Sequence, residues 1–141
     1  MTETMGSLVF SLDGLDLTSE EKEFLLHPLI AGVILFTRNF ESKTQLSNLC
    51  RQIRASRKRR TLILVDQEGG RVQRFKGDFK TLPPMGSFGM QYQSNPLKAC
   101  ADAEATGAFM AKELLETGVD LSLAPVLDVN RQMNTVIGDR A

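Results

Sequence analysis

The chain has 141 residues, with 17 Lys and Arg against 17 Asp and Glu, a formal net charge of zero, and 42% hydrophobic and 24% charged residues. Such a composition belongs to one globular domain and excludes a disordered chain. The charge balance excludes a global field that would draw in nucleic acid or an anionic membrane.

The longest apolar run, Leu29 to Phe36, falls well short of the roughly 20 residues that cross a bilayer. Met1-Thr2-Glu3-Thr4-Met5-Gly6 carries an acid where a secretory leader places a base. Neither membrane insertion nor export is expected. Cys50 and Cys100 both fall in helical segments and read as buried thiols, so the expected compartment is a reducing cytoplasm.

Leu8-Val9-Phe10-Ser11-Leu12 reads as the first strand, closed by Asp13-Gly14. Thr18-Ser19-Glu20-Glu21 has the spacing of a capping box and opens a helix with Phe24, Leu25 and Leu26 as its apolar side, which Pro28 ends. His27, the sole histidine, falls in the last turn as a cation or donor near helix-terminal carbonyls. With no second histidine and two separated cysteines, a zinc site is not supported.

Val33-Ile34-Leu35-Phe36 is the second strand and ends in Thr37-Arg38-Asn39. Ser42-Lys43-Thr44-Gln45 is a second capping box, and Leu46, Leu49, Cys50 and Ile53 then form the stripe of a helix packed on a sheet. Arg57-Lys58-Arg59-Arg60 reads as a solvated, cationic helix end rather than a nucleic-acid patch.

Leu62-Ile63-Leu64-Val65 is a third strand, apolar throughout, as in a parallel sheet buried on both faces. Its polar continuation, Asp66-Gln67-Glu68-Gly69-Gly70-Arg71-Val72-Gln73-Arg74, packs two carboxylates, a glycine pair and two arginines together and reads as a site. Leu82-Pro83-Pro84-Met85-Gly86-Ser87 is expected to be a long loop over the sheet end. Asn95-Pro96 is the cap and first turn of a helix running to about Thr117, with Gly118 past its end. Its face of Ala101, Ala105, Ala108, Phe109 and Leu115 is expected to pack on a sheet. Val119 to Leu123 is a fourth strand, with Asp120 and Ser122 opposite Val119, Leu121 and Leu123, and Ala124 to Asn130 is its polar end.

Strands and helices in alternation make a parallel sheet. Four strands suit half of an eight-stranded barrel, which takes about 250 residues. The expected fold class is therefore α/β of the (β/α)8 TIM-barrel type, with about the first four βα units present and residues 1–141 forming one amino-terminal part. Half a barrel leaves a strand edge unpaired, so a truncated product, or pairing through that edge, is expected.

Asp13, Arg38, Asp66 and Asp128 all follow strands, at the face where loops of parallel sheets converge on ligands. Arg38, Arg71 and Arg74 in the same loops favour an uncharged or anionic polar ligand over a hard cation. Gly69-Gly70 fits neither nucleotide-binding fingerprint and reads as a tight turn. Asp66 and Glu68 could be a glycosidase pair only if their carboxyl groups flank one bond about 5 to 5.5 Å apart, which spacing in sequence leaves open.

The stretch Val65 to Arg74, together with Ile34-Leu35-Phe36-Thr37-Arg38-Asn39, Leu82-Pro83, Ala124-Pro125-Val126-Leu127-Asp128-Val129 and Ile137-Gly138-Asp139-Arg140, resembles the bacterial β-N-acetylglucosaminidases of glycoside hydrolase family 3. The resemblance implies a retaining β-N-acetylhexosaminidase on a (β/α)8 barrel. It would remove terminal β-linked N-acetylglucosamine from muropeptides in cytoplasmic peptidoglycan recycling, with no cofactor and no metal. It assigns sugar binding to Asp66, Arg74 and Arg140.

The family's nucleophilic aspartate and its Lys-His-Phe-Pro-Gly-His-Gly-like loop have no counterpart in these 141 residues. No catalytic residue is assigned, and the chain alone is expected to be inactive. The alternatives are a non-catalytic carbohydrate-binding or interaction module built from half a barrel, and a complete flavodoxin-like binding domain.

Overall fold

The structure is a computed structural model that describes residues 6–129 and 136–140. Met1 to Met5 and Asn130, on which two of the readings above fall, lie outside the described residues. The elements are β1 (Leu8–Ser11), α1 (Ser19–Leu26), β2 (Ile30–Leu35), α2 (Lys43–Ala55), β3 (Leu62–Val65), β4 (Gln67–Gly69), β5 (Val72–Gln73), α3 (Met85–Ser94), α4 (Pro96–Thr117) and β6 (Leu121–Ser122). Single 3₁₀ turns lie at Thr37–Asn39 and Gly138–Arg140.

The main sheet has the order β1-β2-β3-β6 with every pair parallel, and β4 and β5 form a separate antiparallel hairpin. Successive strands that neighbour one another in this way, with helices between them, are the opening units of the expected TIM-barrel type. Val33, Leu35, Ile63 and Val65 are fully buried and share one core with Leu46, Leu49, Cys50 and Ile53 of α2. A side chain at Gly32 would lie 2.4 Å from the Leu62 carbonyl oxygen, so glycine permits the close Gly32–Leu62 register of β2 and β3.

Both predicted caps form. At α1 the Thr18 hydroxyl accepts the Glu21 N–H at 3.2 Å while Glu21 Oε2 accepts the Thr18 N–H at 2.8 Å. Glu21 also reaches back with Oε1 to the Asp13 N–H at 2.8 Å, so one carboxylate ties the β1–α1 turn to the helix start. At α2 the Ser42 hydroxyl accepts the Gln45 N–H at 3.1 Å, but the Gln45 carboxamide takes the Glu41 N–H and donates to the Leu15 and Asn39 carbonyls. The second box is thus half of one, because longer-range backbone acceptors claim the glutamine. Helix α4 runs from its Asn95 cap to Gly118, whose φ of 94° closes it in the left-handed region as expected.

Several expectations are corrected. The breaker-rich segment holds α3, because Pro83 and Pro84 precede the first helical turn instead of interrupting it. In α1 only Leu25 is buried among the three apolar residues; Phe24 and Leu26 are 52% and 62% exposed. His27 Nδ1 accepts the Leu29 N–H at 3.2 Å instead of donating to a helix-end carbonyl.

The basic run is not simply solvated either. Arg57 donates to the Leu25 and Ile30 carbonyls at 2.9 and 3.0 Å and to the Thr61 hydroxyl at 2.7 Å, riveting the α1–β2 connection to the entry of β3. The predicted face of α4 points outward. Ala101, Ala105 and Ala108 are exposed and Leu115 is 63% exposed, whereas Ala99, Leu114 and Thr117 are buried. Cys50 is buried, which pushes its thiol up to about 12, but Cys100 is exposed on α4.

In β6 the polar residues replace missing ladder bonds. Asp120 Oδ2 accepts the Ile63 N–H at 2.9 Å and the Ser122 hydroxyl accepts the Gln67 N–H at 3.1 Å. Of the residues opposite Asp120 and Ser122, Val119 is fully buried while Leu121 and Leu123 are 50% and 45% exposed.

Burial opposes the charge of Glu21, but hydrogen bonds from the Thr18 and Asp13 N–H groups and from the Thr18 side chain outweigh it and hold the carboxyl below its ordinary value. Its stabilisation is therefore present above the unfolded carboxylate pKa of about 4.3 and is lost as pH falls through the lower folded value. Glu21→Ala should cost about 1–2 kcal/mol at pH 7 and flatten the acid limb of stability below about pH 4.5, as read by urea unfolding across that range.

Candidate functional site

The site grows from the carboxyl end of β3. Val65 is fully buried, and the next three residues point alternately, as an extended chain requires. The Asp66 and Glu68 carboxylates each meet an arginine, whereas the Gln67 carboxamide turns to the Phe75 backbone.

Gln67 is 1% exposed and behaves as a piece of backbone: its carboxamide accepts the Phe75 N–H and donates to the Phe75 carbonyl, both at 3.0 Å. Gln73, also buried, donates to the Phe75 and Lys80 carbonyls and accepts the Leu82 N–H at 2.9 Å. Two carboxamides thereby satisfy the loop that must carry Arg74 past the strand end, where a polar backbone would otherwise be buried without partners.

The glycine pair serves close approach as well as turning. Gly69 has φ 96° and Gly70 has φ 57°, and a side chain at Gly69 would sit 2.3 Å from the Pro83 carbonyl oxygen. Gly70 N–H donates to the Leu82 carbonyl at 2.9 Å, so the Leu82–Pro84 segment lies directly over the pair.

On this scaffold Asp66, Arg74 and Arg140 come together. Arg74 Nη2 donates to Asp66 Oδ2 at 2.8 Å, with the side chains 31% and 20% exposed. The Arg74 guanidinium also lies 5.3 Å from the centre of the Phe36 ring, and Arg38 lies 4.9 Å from that ring centre. Arg140 donates through Nε and Nη2 to the two oxygens of Glu68, both at 2.7 Å.

Hydrogen bonding to Glu68 raises the Arg140 pKa against the opposing pull of burial, and the charges of Glu68, Asp66 and Asp128 add to the rise. Glu68 is the carboxylate in contact with this guanidinium, and Asp66 and Asp128 add longer-range attraction. Arg38 instead donates Nε to the Leu12 carbonyl at 2.8 Å, and Asp13 is exposed, offering its backbone N–H to Glu21. Of the four strand-end charges, Asp66 is the one held in an ion pair of this cluster, with Arg74. Arg71 reaches the Val136 and Ile137 carbonyls and so links the hairpin to the Gly138–Arg140 turn. The Asp139 side chain lies outside the described residues.

The placement can hold hydroxyl-rich ligands through carboxylate acceptors and guanidinium donors. The carboxylates of Asp66 and Glu68 are each engaged by an arginine, so neither stands as an unpaired acid of a glycosidase pair. What sequence reading missed is the pair of buried glutamines. Their signal was present in the alternation Asp66-Gln67-Glu68, which puts the amide on the inner side.

Gln67→Leu should destabilise the fold by about 1–3 kcal/mol, because the buried Phe75 N–H loses its acceptor, and thermal unfolding reads this directly.

The sequence and the fold are similar to those of known proteins. Residues 3–141 match the N-terminal domain of glycosyl hydrolase family 3. The β-hexosaminidase of Xanthomonas axonopodis pv. citri is 50% identical over 134 residues, covering 95% of this chain and 40% of the relative. That of Alkalilimnicola ehrlichii is 50% identical over 137 residues, covering 97% and 39%.

Among solved structures, NagZ from Neisseria gonorrhoeae in complex with N-trifluoroacetyl-D-glucosamine superposes with a TM-score of 0.93 at 42% identity, over 96% of this chain and 40% of that one. A family 3 β-N-acetylglucosaminidase from Paenibacillus sp. gives a TM-score of 0.76 at 25% identity, over 96% and 26%. The chain spans about two fifths of the length of the curated relatives it matches.

Proposed function

Because the chain belongs to the glycosyl hydrolase family 3 N-terminal domain family, we propose that it is the sugar-holding part of a retaining β-N-acetylhexosaminidase acting on terminal β-linked N-acetylglucosamine. The substrates are muropeptides, and the setting is peptidoglycan recycling in the cytoplasm. Asp66, Arg74 and Arg140 hold the sugar.

The observation that supports this reading most is the meeting of two carboxylate–guanidinium pairs, Asp66–Arg74 and Glu68–Arg140, at the carboxyl end of β3. Sugar hydroxyls are both donors and acceptors, and a cluster of fixed acceptors and donors with little net charge suits them better than it suits an ion. The relatives' names and the N-trifluoroacetyl-D-glucosamine held by the Neisseria protein support the same substrate class. The nucleophile and the proton-transferring histidine belong to segments with no counterpart in these 141 residues, so this polypeptide binds without turnover.

The half-exposed Leu8 and Val9 at one sheet edge and Leu121 and Leu123 at the other are the surfaces that further strands of a barrel would cover.

Nuclear magnetic resonance titration of the 141-residue polypeptide tests the reading. N-Acetylglucosamine should perturb the amides of the Asp66–Arg74 hairpin and glucitol should not, with Arg74→Ala weakening binding about tenfold. A chromogenic N-acetyl-β-glucosaminide should show no hydrolysis above background. Turnover well above background, or perturbations spread away from the hairpin, refutes the proposal.

A further inference from the structure

Both oxygens of Glu68 are engaged by one side chain, a use that its place in an acidic motif does not suggest. Oε2 accepts Arg140 Nε and Oε1 accepts Arg140 Nη2, each at 2.7 Å, across 72 residues of sequence. The geometry is the parallel two-bond fork that a guanidinium makes with a carboxylate, and it fixes the plane of the guanidinium as well as its position.

The backbone on both sides of Glu68 is held, because Gln67 and Gly69 pair with Gln73 and Val72 of β5 and the Gln67 carboxamide bonds to Phe75. Its side chain is 7% exposed and that of Arg140 is 20% exposed. A cavity of about 190 Å³, lined by Glu68 and by mostly apolar neighbours such as Leu82, Met85, Met110, Ala124 and Pro125, opens beside the pair.

We propose that Glu68 is the positioning residue for Arg140: its carboxylate clamps the guanidinium in one orientation beside Asp66, so that Arg140 meets the sugar already ordered. The proposal rests on the reading of Arg140 as a sugar-holding residue and adds the residue that makes it one.

An unclamped arginine must give up rotamer freedom when it binds, and pre-ordering removes that cost from the binding step. Glu68 then contributes to sugar affinity without touching the sugar. Its contribution passes wholly through Arg140, which separates this role from a general effect on the fold.

Two readouts on the 141-residue polypeptide test the clamp. The first is phenylglyoxal labelling of Arg140 followed by peptide mass spectrometry, with the internally bonded Arg57 as the control for folding. In Glu68→Gln the Arg140 rate should rise at least fivefold while the Arg57 rate stays unchanged. The second is N-acetylglucosamine affinity in a double-mutant cycle. Glu68→Gln should weaken binding about tenfold, and should weaken it no further once Arg140→Gln is present.

Should Glu68→Gln unfold, shown by a rise at Arg57, Glu68→Asp keeps the charge with a shorter reach and should raise Arg140 labelling in the folded chain. Unchanged Arg140 labelling in a folded Glu68 variant overturns the clamp, as do effects of the two substitutions that add in full. If the unaltered chain binds no sugar while Arg140 labelling still rises in Glu68→Gln, the clamp stands and the sugar reading is what fails.

Discussion

The candidate site depends on two buried carboxamides. Gln67 and Gln73 stand in for a strand that is not there, giving Phe75, Lys80 and Leu82 the hydrogen-bond partners that a chain turning back over a sheet end would otherwise lack. Buried amide groups without partners cost far more than a typical hydrogen bond contributes, so this substitution decides where the chain can run. Once Gln67 faces inward, Asp66 and Glu68 must face the opposite side, and Arg74 is delivered within 2.8 Å of Asp66. Charge placement here follows from backbone satisfaction.

The same device recurs at the sheet edge. Strand β6 has two residues, too few for a firm ladder, and Asp120 and Ser122 accept N–H groups of the neighbouring chain at Ile63 and Gln67. Asp120 in turn is held by Arg54 at 3.0 Å, so α2 helps to set the register of β6. The Gln67 N–H and the Gln67 side chain therefore serve different neighbours, and the end of β3 is joined to β6 and to the site hairpin through one residue.

Much of this was legible beforehand, for reasons that differ from place to place. The α2 stripe of Leu46, Leu49, Cys50 and Ile53 is fully borne out because helix periodicity and burial on a sheet coincide there. Thr18 with Glu21 and Asn95 with Pro96 were readable because capping is local chemistry. The barrel-type order of parallel strands followed from alternation alone.

The face of α4 was misread because small alanines suit either a tight contact or open solvent, and only tertiary placement distinguishes them. The α3 helix was hidden because two prolines look alike whether they end one element or precede another. The strand-end place of Asp66 was readable from the sequence, while Arg74 and Arg140 entered through the family resemblance, and the tie between Glu68 and Arg140 was not readable, since it joins residues 72 apart.

The roof over the glycine pair has a wider meaning. With the Pro83 carbonyl and the Pro84 ring pressed against Gly69 and Gly70, no larger side chain can be accommodated at either position. Any change of side chain on this hairpin therefore has to fall at its other positions, while the two glycines stay a fixed surface of main chain under the Leu82–Pro84 segment.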